Sequence, residues 1–283
     1  MSSNALASRS WPLALPLTLA FMAFFAAPLL MLLATSGYDD DMLTRPGTAS
    51  WTKFVTDPFY WKVTFDTLKL GAMTVCATVI VGYPLAVVYM QASERWRRLL
   101  LFIIIMPVLL SVVVRTFAWI VILGSDGVIN QLVMALGLSP TPLRLLQTEF
   151  GLVLSLTQIE LPMMLLPLIS VMARMDGNLI DASTALGASR WRTLFKVVLP
   201  LSLPGLVAGC TLVFASATTA FISQSIIGGN RLVYLPLVIW QQSLVVYNWP
   251  LAAVASIVLL ASVMLCIALI VALGRRGMRY LHV

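Results

Sequence analysis

Two ionisable residues, Glu160 and Arg115, lie inside long apolar runs of this chain. Burying a charge among hydrocarbon is expensive, so such residues are held for a task by default. Thr157, Glu160 and Met164 fall at i, i+3 and i+7, which puts them on one helix face. A carboxylate on that face, turned to a water-filled path, would favour a cation. Arg115 has Trp119 four residues on, within reach of a cation–π contact. Arg115 reads either as the counter-ion of Glu160 or as an outer gate. In a third run Ser216, Thr219, Ser223 and Gln224 make a polar strip. Ordinary interhelical hydrogen bonding accounts for that strip more economically than a path does.

Other chemistry is excluded. No Gly-x4-Gly-Lys-Ser/Thr loop and no Gly-Lys pair occur, so the chain cannot cradle a nucleotide in that way. The single histidine, His282, rules out a Ser-His-Asp set and most histidine chemistry. Cys76, Cys210 and Cys266 are scattered through apolar runs without paired spacing, neither a disulfide framework nor a metal site. The expectation is a non-enzyme without metal or cofactor.

The elements that must position these residues follow from composition. Of 283 residues 60% are apolar and 10% charged, with a mean hydropathy of +0.96. A soluble domain carries about 25% charged residues, so this chain is built for a lipid bilayer. About 20 apolar residues span the hydrocarbon core. Six segments qualify, about 12–35, 67–90, 99–123, 150–173, 204–227 and 250–273. The fold class is an all-α membrane protein, one domain of six transmembrane helices. The first apolar run, Trp11 to Thr35, exceeds the h-region of a signal peptide and reads as a span.

Charge sets the orientation. One side carries eleven cations against three acids, the other six cations against seven acids. Lys and Arg concentrate on the cytoplasmic side, which places both termini and the 174–203 loop in the cytoplasm. The net charge of +7 marks topology and needs no nucleic acid. Aromatic residues of the outer connections, such as Trp51, Trp61 and Trp249, suit an interfacial belt or a docking surface for a partner outside.

The 174–203 loop holds Asp181-Ala182-Ser183, then Gly187, and after nine residues Val197-Val198-Leu199-Pro200. Asp181 near a helix start would complement the helix dipole. Gly187 either admits a close second surface or ends the helix, and Leu199-Pro200 is expected to stop the helix that follows, with Pro204 opening the next span. This spacing resembles the cytoplasmic signature loop of permease subunits of bacterial ABC importers, Glu-Ala-Ala-x3-Gly-x9-Ile-x-Leu-Pro. Asp181, Ser183 and Val197 replace the Glu, second Ala and Ile of that pattern. Val114-Arg115-Thr-Phe-Ala-Trp119, Gly124-Ser-Asp-Gly127 with Asn130, Gly82-Tyr-Pro-Leu-Ala86 and Asn248-Trp249-Pro250 resemble the spermidine/putrescine-type branch.

The resemblance covers most of residues 65–275 and implies the type I importer permease fold in a bacterial inner membrane. It implies ATPase subunits beneath the chain, contacted through Asp181, Ala182, Ser183, Gly187, Leu199 and Pro200. It also implies a second permease subunit, a different chain in this branch, and a periplasmic solute-binding protein. The solute implied is a polyamine or a related cationic or amino-acid-derived compound. Phe221-Ile-Ser-Gln-Ser225 departs from that branch, where a more apolar sequence is expected. The alternative from another class is a self-sufficient secondary carrier, which tends to show internal repeats and broken paired helices; no convincing repeat is seen here.

Overall fold

A computed structural model of the chain describes residues 11–279, so Arg9 and His282 lie outside the described residues. Their helices, in order, are α1 (Trp11–Thr35), α2 (Ala49–Thr56), α3 (Pro58–Gln91), α4 (Glu94–Ile105), α5 (Val112–Leu123), α6 (Val128–Ala135), α7 (Glu149–Met172) and α8 (Gly177–Ala185). Then follow α9 (Arg190–Thr193), a wide turn at Leu194–Val198, α10 (Leu199–Thr219), α11 (Phe221–Gly228), α12 (Leu235–Trp240) with a second wide turn at Gln241–Val245, and α13 (Trp249–Arg279). No strand forms among the described residues; a single bridge joins Tyr38 and Pro46.

Six stretches are long and apolar enough to cross a membrane: Leu15–Thr35, Pro58–Gln91, Val112–Ala135, Glu149–Met172, Arg190–Thr219 and Trp249–Arg276. The third differs from the single span expected at 99–123. There α4 gives way to a tight 3₁₀ turn at Met106–Leu109 and then to extended backbone at Leu110. Pro107 is the physical reason, because it removes one helical donor and crowds the turn before it. At 1.5 Å per residue the 12-residue α4 is about 18 Å long, short of a core of about 30 Å.

The described residues group into two compact units. In the first, which runs to Trp61 and takes in Val238–Leu259, Phe54 is fully buried and stacks on Tyr60 at 4.9 Å between centroids. A loop ahead of α2 is tied by Asp40, whose carboxylate accepts from the Thr44 and Arg45 backbone N–H groups and the Thr44 hydroxyl. The hydroxyl contact, first among these, holds the Asp40 carboxyl below its ordinary range. Asn248 caps α13 by accepting from the Leu251 N–H at 3.0 Å.

In the second unit, Lys62–Leu237 with the chain from Leu260, α7 is the central helix. Its start is fixed by the Thr148 hydroxyl, which accepts from the Gly151 N–H, and by an ion pair between Lys69 and Glu149 at 2.7 Å. One apolar cluster gathers around its first half through Leu152 and Leu156, with Leu70, Leu123, Ile227 and Tyr234. A second gathers around its last turns through Leu165, Leu168, Ile169 and Met172, with Ala86, Tyr89 and Ile104. Glu160 falls between the two. Helix α10 lies along α7 at close range because Gly205 and Gly209 present no side chain: a Cβ would stand 2.9 Å from the Pro167 carbonyl oxygen and 2.7 Å from Met164 Sδ, respectively. Small residues four apart allow this approach in membrane helices.

Candidate functional site

Glu160 is the twelfth of the 24 residues of α7, which sets it half-way along the helix. It is 5% exposed, and its Oε1 accepts a hydrogen bond from Ser216 Oγ of α10 at 2.8 Å. Arg115 projects from the first turn of α5, donates from Nη1 to the Ile159 carbonyl at 3.4 Å, and leaves its buried Nε without a partner. Arg115, Glu160, Ser216, Thr219 and Ser223 line one cavity of about 250 Å³ within the second unit, with Ile159, Pro162 and Met163 among its apolar walls. Five of the eight polar-path candidates thus meet at one place, drawn from four helices.

The other three do not line it. Thr157 is buried, but its hydroxyl turns back to the Val153 carbonyl at 2.6 Å. Helical spacing puts Thr157 on the face of Glu160 without deciding where its one donor goes. Trp119 points its ring N–H at Gln158 Oε1 at 3.0 Å and packs with the first apolar cluster. The cation–π contact among the described residues is Arg97 over Tyr89, so Trp119 is a packing residue and not a partner of Arg115.

Gln224 has a role that periodicity does not show. The span expected at 204–227 is broken at Ala220, whose backbone (φ −72°, ψ 58°) ends α10 and opens α11. A helix end leaves carbonyls unpaired. Gln224 Nε2 donates to two of them, Ala217 O at 2.9 Å and Thr218 O at 3.3 Å. Thr116, fully buried on α5, shares a 3.1 Å hydrogen bond with Ser223 and ties α11 to α5. Nothing in the sequence signals these roles of Thr116 and Gln158, each of which looks like one more polar residue in a hydrophobic run. The Gly124–Asn130 motif proves to be a local knot. Asn130, fully buried, donates to the Gly124 and Leu143 carbonyls and accepts from the Leu143 N–H.

The 174–203 loop is helical for most of its length. Asp181 does not start α8; it is the fifth of its nine residues, and the cap is Asp176, whose carboxylate accepts from the Asn178 N–H at 3.0 Å. Both aspartates precede small residues, and only Asp176 stands directly before the first helical turn. Gly187 ends α8 with φ +78°, and the Ala188 N–H reaches back to the Ser183 carbonyl, a left-handed helix stop. Ser183 Oγ and Thr193 Oγ1 share a 2.9 Å hydrogen bond between α8 and α9.

Leu199-Pro200 does not stop the helix. The Leu199 N–H bonds five residues back to Leu194, and the widened turn at Leu194–Val198 makes room for Pro200, after which α10 runs on past Pro204. Leu186 is 88% exposed and Trp191 70%, and Trp191 stacks on Phe195 at 6.2 Å. An apolar surface of this kind next to Arg190, Arg192 and Lys196 suits a protein groove or a headgroup layer.

Comparison with known proteins bears on the family and the fold. The family model described as "Binding-protein-dependent transport system inner membrane component" matches residues 78–280. The spermidine/putrescine transport system permease protein PotB of Haemophilus influenzae is 31% identical over 242 residues, 83% of this chain and 83% of its own. The protein of the same name from Escherichia coli is 32% identical over 245 residues, 83% of this chain and 87% of its own. Among solved structures, a chain of a bacterial alginate ABC transporter in complex with an alginate pentasaccharide-bound periplasmic protein superposes with a TM-score of 0.79. It is 16% identical and covers 98% of this chain and 99% of its own, a likeness of fold.

Proposed function

The chain belongs to the binding-protein-dependent transport inner-membrane components, as a multi-pass permease subunit of an ABC importer, and from that premise we propose that it carries a small ammonium-bearing solute inward. The solute class is a polyamine such as spermidine or putrescine, or a related amino-acid-derived cation. The observation that carries this reading is Glu160, a buried carboxylate half-way along a membrane helix and on the wall of a cavity. A unit charge pair is worth about 4 kcal/mol at 4 Å with an effective dielectric near 20. The names of the PotB relatives support the solute class.

In the same reading ATPase subunits dock on the surface around α8 and α9, with Asp181–Gly187 and Leu199-Pro200 transmitting their closure. A second permease, a different chain, completes the path. A soluble binding protein delivers solute from the periplasmic side, and both termini are cytoplasmic. The capped helix α8 and its exposed neighbours Leu186, Trp191 and Phe195 support this docking.

The test is Glu160→Gln, which keeps size and hydrogen bonding and removes the charge. In proteoliposomes carrying the full transporter, uptake of radiolabelled putrescine or spermidine should fall about tenfold or more, with the binding protein's own affinity unchanged. Normal uptake would make Glu160 a structural residue.

A further inference from the structure

Arg115 and Glu160 line one cavity, yet they do not close into an ion pair. The ion pairs among the described residues are Lys62–Asp66, Lys69–Glu149 and Arg98–Glu94. Glu160 is held by Ser216, on the α10 side. Arg115 makes one long contact, to the Ile159 carbonyl, and keeps a buried Nε without an acceptor. An arginine and a carboxylate that served only to neutralise each other would close to a short, two-pronged contact. These two instead leave opposite charges on the wall of one cavity of about 250 Å³.

A guanidinium with unspent donors fits a carboxylate in planar, bidentate fashion. A solute with ammonium groups alone would meet Glu160 as partner and Arg115 as a like charge, unscreened inside the bundle. A solute carrying a carboxylate beside its ammonium would satisfy both and give Arg115 the acceptor it lacks. We propose that the cavity is a two-pole subsite for an amino-acid-derived cation, with Glu160 taking the ammonium and Arg115 the carboxylate, and that Arg115 selects such solutes over bare polyamines. This rests on the reading of Glu160 as a solute-binding residue.

Ornithine and putrescine differ by one carboxylate, so they isolate the Arg115 pole. Equilibrium binding of each radiolabelled amine is measured on the complete detergent-solubilised transporter without its soluble binding protein, whose own selectivity then does not enter. Wild type should bind ornithine about tenfold more tightly than putrescine, the scale of one hydrogen bond to a charged group. Arg115→Gln should erase that preference by weakening ornithine while putrescine, relieved of a like charge, binds no worse or more tightly. Arg115→Lys should restore part of the preference, and Glu160→Gln should weaken both amines.

Equal binding of the two amines by wild type, or equal weakening of both by Arg115→Gln, overturns the two-pole subsite. If putrescine binding still depends on Glu160 in that event, the cation reading stands alone. If neither amine binds, or neither depends on Glu160, both readings fall.

Discussion

Ser216 on α10 donates to Glu160 on α7 across 2.8 Å, joining the two helices at the level where the apolar clusters part. A hydrogen bond to a charged group is worth about 1.5–3 kcal/mol, and a buried acid that loses its donor bears most of that loss. Ser216→Ala should therefore lower the thermal stability of the purified transporter. In the Glu160→Gln background the same change should cost less, by roughly 1 kcal/mol in a double-mutant cycle. Strictly additive costs would show that the two residues are not coupled.

The approach of α10 to α7 depends on two glycines. A Cβ at Gly209 would stand 2.7 Å from Met164 Sδ and 2.9 Å from the Met164 carbonyl oxygen. Overpacking of this kind costs about 1–3 kcal/mol. Gly209→Ala should depress the melting temperature and Gly209→Leu should prevent assembly. Gly177→Ala, at a site with nothing within 4 Å, serves as the neutral control. Melting measured by size-exclusion survival in detergent decides it, and an unaffected Gly209→Leu would mean that α10 does not sit where the glycines allow.

The apolar runs were legible because length and hydrophobicity suffice to mark a helix that must satisfy its own backbone in lipid. Glu160 was legible for the complementary reason, as the one acid in its run. The break at Ala220 was not. Its carbonyls are paired by Gln224, four residues on, and nothing local in Thr218-Thr219-Ala220 requires a stop. Periodicity assigned Thr157 and Trp119 to the right helices but not to the cavity, since side-chain donors are claimed by Val153 and Gln158. Around Leu199-Pro200 the rule that proline ends a helix lost to a widened turn, which relieves the same clash without a stop.

Gly187 offers a way to separate backbone from contact effects. Its φ is +78°, and a Cβ there would meet open space within this chain. A left-handed backbone costs a non-glycine residue about 1–2 kcal/mol, less for asparagine. If Gly187 works as the end of α8, transport-coupled ATP hydrolysis should decline in the order Gly, Asn, Ala, Val. If it works by admitting a docking partner, size alone should govern, and Gly187→Asn should be worse than Gly187→Ala. Coupled and basal hydrolysis of the reconstituted complex, measured side by side, distinguish the two orders.

Orientation can be read at two surface positions whose substitution disturbs no packing. Met42 is 84% exposed in the loop after α1, and Leu186 is 88% exposed at the end of α8. The eleven cations on the Leu186 side against six on the Met42 side predict that Leu186 faces the cytoplasm. Cys76 is exposed and would contribute background, so the test starts from a chain with Cys76, Cys210 and Cys266 replaced by serine or alanine. In intact spheroplasts a membrane-impermeant maleimide should then label Met42→Cys and spare Leu186→Cys. After the membrane is opened, both should react. Labelling of Leu186→Cys from outside would invert the topology and put α8 beyond the reach of any ATPase, removing the importer mechanism with it.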